Sequence, residues 1–113
     1  MESIDIDTFE ALVEEALASI PADLRAELDN VAIIIDYESP VGPLYGLYEG
    51  TPLTKRRDRG GLRPDQITLF LNTICRSVTT ADELADRVRV TLLHEVGHHF
   101  GMNEARLREL GWA

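Results

Sequence analysis

Thiols are nearly missing from this chain: of 113 residues, only Cys75 carries one. A single cysteine excludes an internal disulfide and makes a reducing, cytoplasmic compartment the expected one. With no partner cysteine, Cys75 reads as a small buried apolar residue. Long apolar runs are missing too. None approaches the ~20 residues that a membrane span requires, so no membrane partner is expected. Basic side chains are scarce, 11 Lys and Arg against 20 Asp and Glu. The resulting net charge of −9 disfavours nucleic acid and anionic membranes as partners. The opening MESIDIDTFE is acidic and lacks the basic residues of a signal or transit peptide. Repeats, low-complexity tracts and linkers are absent, so residues 1–113 read as one domain. Its apolar fraction of 44 % and charged fraction of 27 % are those of an ordinary soluble globular protein.

What is present is concentrated near the C-terminus, in TLLHEVGHHFGMNEARL, residues 91 to 107. On a helix, His94 and His98 stand one turn apart and about 40° around the axis, so both imidazoles reach one point. Two neutral imidazoles on one face commonly hold Zn²⁺, and Glu95 between them has the chemistry of a hydrolytic base. A catalytic zinc site needs a third protein ligand and leaves its fourth position open. If the helix ran on, residue 104 would lie roughly 15 Å along the axis from His94. Gly101 offers a way back, because glycine readily takes the left-handed conformation that ends helices. The returning chain would bring the Glu104 carboxylate to the metal. The competing reading of Glu104 is a solvated acid on the last helix.

HEVGHHFGMNE resembles the HExxHxxGxxH signature of the metzincins, with Glu104 where the third histidine would stand. With an acid there, it is similar to a small bacterial zincin-like metallopeptidase family whose motif reads HExxHxxGxx(D/E). GLYEGTPLT at 46–54, RPDQITLF at 63–70 and RLRELGW at 106–112 also look like that family, so the resemblance covers most of the chain from Val31 onward. It implies zinc-assisted hydrolysis of peptide bonds, with His94, His98 and Glu104 as ligands and Glu95 moving the proton. It also implies that LYGLYE is an edge strand against which an extended peptide lies antiparallel. One departure is plain: no methionine follows Glu104 to make the turn that floors the metzincin site. Trp112 is the nearest large apolar substitute. The short tail after Glu104 points to shallow substrate binding, or to a site completed by a second subunit in a homodimer.

The rest of the chain reads as scaffold. Asp7 and Glu10 resemble a helix-capping pair, and Phe9, Leu12, Val13, Ala16, Leu17 and Ile20 repeat at helical spacing until Pro21. A short helical turn over 22–28 follows, with Leu24 and Leu28 inward. VAIIID at 31–36 is a β-branched run suited to a strand buried on both faces. LYGLYE at 44–49 is a second strand, with Gly46 marking an edge or bulge, and QITLFL at 66–71 a third. Between Gly50 and Pro64 the composition predicts a long exposed loop, whose KRRDR island at 55–59 reads as solvated. NTICRSV is a turn or a short helix. Thr80 and Glu83 form a capping box for a helix over 81–100, apolar nearly all round and therefore buried. A last helix covers 103–110 and ends at Gly111.

Within the motif helix, His99 lies about 140° around the axis from His94, so it points away from the metal and is packed. Gly97 permits close packing beside His94. Tyr45 and Tyr48 occupy opposite strand faces, so at most one looks toward the metal. The expected fold is α+β: a small three-stranded mixed sheet with an N-terminal helix, and the motif helix beneath the sheet. The expected function is a zinc-dependent peptidase acting on a peptide or protein segment. The rival is a non-catalytic module that keeps the fold, and Glu95 discriminates, since such a module needs no base there.

Overall fold

The first helix begins at an aspartate, though not the expected one. In a computed structural model that describes residues 1–50 and 64–113, α1 (Ile6–Ala18) is capped by Asp5, whose carboxylate accepts the Thr8 amide at 2.9 Å. Asp7 already lies in the first turn, where its charge suits the helix dipole. The apolar stripe does what its spacing predicts: Phe9, Val13, Ala16 and Ile20 are buried, with Leu12 and Leu17 at the margin. After Pro21 come a short α2 (Ala22–Arg25) and a 3₁₀ turn over Ala26–Leu28, whose Leu24 and Leu28 pack against the core.

Strands β1 (Val31–Asp36), β2 (Gly46–Glu49) and β3 (Asp65–Phe70) form a mixed sheet in the order β1-β3-β2. β1 runs parallel to β3, and β2 antiparallel to it. The strand expected to be buried on both faces is only half-buried. β1 stands at the end of the described sheet, whereas β3 fills the middle and buries Ile67, Leu69 and Phe70. An apolar run reports affinity for a sheet; its number of neighbours is decided by chain topology. β2 is the terminal strand on the other side, and it starts two residues later than LYGLYE predicts. Pairing reaches one residue further back, since the Tyr45 carbonyl accepts the Phe70 amide at 2.9 Å.

NTICRSV resolves as part of α3 (Leu71–Arg76), which buries Leu71, Ile74 and Cys75. Then α4 (Ala81–His99) packs against α1 on one side and against β2 and β3 on the other, as expected for a helix lying under the sheet. Its N-terminal half keeps a solvent face, and burial becomes nearly complete from Thr91 onward. A last helix, α5 (Glu104–Leu110), folds back with Leu107 and Trp112 in the core. The region read as an exposed loop, with the KRRDR island, lies outside the described residues. No helix of the described residues is long and apolar enough to cross a membrane.

Candidate metal centre

Two local devices fix the motif in space. At the N-terminus of α4, Thr80 accepts the Glu83 amide at 3.1 Å, and the Glu83 carboxylate accepts from the hydroxyls of Thr79 and Thr80. Those bonds hold the Glu83 carboxyl below its usual range. At the C-terminus, the chain leaves the helix through Gly101 at φ 76°. The Gly101 amide donates to the His98 carbonyl at 3.0 Å and the Met102 amide to the Gly97 carbonyl at 2.9 Å, the paired bonds of a Schellman turn. Asn103 then caps α5 by accepting the Arg106 amide at 2.9 Å. The predicted reversal at Gly101 is therefore present, and it makes Glu104 the first residue of α5.

α5 is held against α4 at Gly97. A Cβ there would stand 2.2 Å from Leu107 Cδ2, so only a glycine lets the two helices approach this closely. The close neighbour of Gly97 is thus α5, a more specific role than packing beside His94. Past Gly111, whose φ of 75° turns the chain again, the Trp112 amide donates to the Leu107 carbonyl at 2.8 Å. That places the Trp112 carbonyl 3.0 Å from His94 Nδ1. The indole of Trp112 is buried in the core, while its main chain supports the site.

A carbonyl oxygen only accepts, so His94 Nδ1 carries the proton and Nε2 keeps its lone pair. The same reasoning applies to His98, whose Nδ1 donates to Glu95 Oε1 at 3.0 Å. Both Nε2 atoms are thereby left in the form that can bind a metal, with the opposite ring nitrogen pinned. The two rings meet edge to face, with centroids 4.6 Å apart. Donor atoms of His94, Glu95 and His98 all lie within 4.8 Å of one another, a spacing that suits one ion. This donor set fits a divalent metal such as zinc.

Glu104, the expected third ligand, comes near without joining that trio. Its Oε1 is 3.9 Å from His98 Nε2, and the side chain is exposed. Glu95 is buried and faces a cleft of about 510 Å³ that also reaches Tyr45, Gly46, Arg87, Thr91 and His94. Its bond to His98 was not legible in the motif, where Glu95 reads only as a base. Gly46 matters here for space: a Cβ would lie 2.9 Å from Thr91 Cγ2 and 3.3 Å from Glu95 Cγ. The glycine lets the strand descend onto the motif helix.

The neighbouring histidine goes elsewhere. His99 is 2 % exposed and its Nδ1 bonds to Asp65 Oδ2 at 2.7 Å. The Tyr48 hydroxyl donates to the same oxygen at 2.6 Å. A packed His99 is as expected, but Asp65 went unmarked in the sequence. A lone acid at a strand start carries no signal of a partner 34 residues away. The tyrosines divide as strand alternation predicts: Tyr48 points to Asp65, and Tyr45 lines the cleft beneath the Arg87 guanidinium, 4.9 Å from its ring centre.

Comparison with known proteins agrees with this geometry. None of the curated proteins matches the chain. The family profile described as zincin-like metallopeptidase matches residues 23–112. That match runs from the second residue of α2 to Trp112, and it begins before Val31, where the resemblance first becomes legible by eye. The chain belongs to the zincin-like metallopeptidase family.

Proposed function

We propose that this protein is a zinc-dependent peptidase that hydrolyses bonds within peptides or flexible protein segments. The observation that carries the reading is the pair of pinned imidazoles, each with Nε2 left as a lone pair beside the buried carboxylate of Glu95. His94, His98 and Glu104 would hold the metal. When bound, Zn²⁺ supplies a Lewis acid that polarises the scissile carbonyl and acidifies the attacking water. The Trp112 carbonyl orients His94, and the Schellman turn keeps Glu104 beside His98. Glu95 uses Oε1 to steady His98, and Oε2 has no protein partner among the described residues. Oε2 takes the proton of the attacking water and later delivers it to the departing amine. The cleft along α4 and β2 gives an extended peptide room beside these groups.

Glu95→Gln tests the assignment, because an amide cannot accept that proton. The variant should keep stoichiometric zinc and lose hydrolysis of a peptide library by at least about a hundredfold. Equal rates for the two proteins would remove Glu95 as the base. Zinc-loaded wild type without any turnover would favour the non-catalytic module.

A further inference from the structure

The cleft continues along α4 past the motif, and its far end is lined by Arg87 beside Asp86. Arg87 lies seven residues before His94 on α4, about 10 Å along the helix axis. An extended peptide covers that distance in about three residues. The Arg87 guanidinium is seated over the Tyr45 ring, 4.9 Å from its centre, and both side chains line the same cleft as His94 and Glu95.

Among the described residues, no carboxylate lies within ion-pair distance of Arg87. The nearby acids are already engaged. Asp86 pairs with Arg89 at 3.0 Å, and the Glu83 carboxylate, whose charge acts on Arg87 only at longer range, is held by the hydroxyls of Thr79 and Thr80. In a chain of net charge −9, a cation with no carboxylate in direct contact, on the wall of the cleft that holds the motif, stands out. Stacking on an aromatic face fixes the guanidinium plane while its N–H donors remain available, which suits paired recognition of a carboxylate.

We propose that Arg87, seated on Tyr45, is a carboxylate-binding subsite about three residues from the bond to be cut. Its ligand is an acidic side chain or the free C-terminal carboxylate of the bound peptide. This deepens the peptidase reading and rests on it for the identity of the cleft, but binding at Arg87 is measurable without turnover.

The test uses the full-length Glu95→Gln protein with equimolar zinc and fluorescent peptides followed by anisotropy. One series of end-blocked nonapeptides carries a single Glu in place of Gln at successive positions. A second series is shortened stepwise and ends in either a free carboxylate or an amide. One position of Glu, or one length with a free terminus, should bind about tenfold or more tightly than its neutral twin. Which series discriminates identifies the source of the carboxylate. Adding Arg87→Gln should abolish the difference, and Arg87→Glu should reverse it in favour of Lys. If no peptide discriminates, or if discrimination survives Arg87→Gln, the subsite is wrong. Peptides that discriminate through Arg87 but stay intact with wild type would overturn the hydrolytic reading and leave the subsite standing.

Discussion

His98 and His99 are adjacent in the chain and occupy opposite worlds. His98 is partly open to solvent, with Nδ1 held by a carboxylate of its own helix and Nε2 near Glu104. His99 is buried against the sheet, bonded to Asp65 on β3, whose carboxylate also accepts from Tyr48 on β2. Both are histidines paired with an acid, so residue type and partner type do not distinguish them. What does is the side of α4 on which each falls. One side is lined by His94, Glu95 and the cleft, the other by a strand. A 100° step along a helix therefore separates a candidate metal donor from a structural tie.

The sharpest way to break that contrast is to delete each imidazole in turn. His94→Ala or His98→Ala should abolish stoichiometric zinc in elemental analysis while changing the stability of the metal-free protein little. His99→Ala should do the reverse. Zinc stoichiometry is retained, and urea unfolding shows a loss of about 2–4 kcal/mol, because the buried Asp65 carboxylate loses one of its partners and a cavity opens. Undiminished zinc in both His94→Ala and His98→Ala would sink the site as drawn.

A smaller effect belongs to Glu104, which the turn at Gly101 brings within 3.9 Å of His98 Nε2. Glu104→Ala should weaken zinc binding about a hundredfold in competitive titration, with the apo fold intact. Glu104→His should recover much of that loss. Gly101→Ala should weaken zinc as well, since a Cβ is strained at φ 76°. Unchanged zinc affinity in Glu104→Ala would place the third ligand elsewhere.

Gly97→Ala probes the join between the two sides. Its methyl would collide with Leu107 Cδ2, so the Leu107 side chain or α5 must shift, at a cost of about 1–3 kcal/mol in urea unfolding. Zinc affinity should fall with it, because α5 carries Glu104. Stability lost without any change in zinc affinity would show that α5 does not set the ligand position.

The mildest perturbation is an acid–base pair remote from both histidines. Glu38 accepts two bonds from Arg76, the main cause of its carboxyl being held down at about 2 against an ordinary 4.5, with Asn72 adding to it. A depressed carboxyl stabilises the fold above pH 4.5 and loses that contribution as pH falls from there toward 2. Glu38→Gln should therefore flatten the acid limb of the thermal-stability profile in this window and leave zinc binding at neutral pH unchanged. An unaltered acid limb would mean that solvent screening cancels the pair.

Legibility in the sequence follows the range of the interaction. The cap at Thr80, the apolar surface of α4, the reversal at Gly101 and the inward turn of His99 all depend on neighbours within a turn or two, and all are readable. Asp65 as the acceptor for His99, Leu107 as the reason for Gly97, and the half-exposed position of β1 depend on which segments meet across the fold. Composition and periodicity carry no record of that. Even locally, Asp5 and Asp7 are both competent caps, and it is Asp5 that accepts the Thr8 amide. Arg87 shows the same limit, since its place over Tyr45 depends on a strand more than forty residues earlier in the chain.

The support beneath His94 has a consequence for how such a site can vary. Its acceptor is the main-chain oxygen of residue 112, and every amino acid carries that atom. No substitution at this position deletes the bond outright. What can be lost is the path of the chain: the left-handed turn at Gly111, the Trp112 amide tied to Leu107, and the indole anchored in the core. The orientation of the His94 ring is thus entrusted to shape, and many different tails could preserve it. Sequence drift near the end of the domain is then a poor guide to whether the imidazole still points the right way.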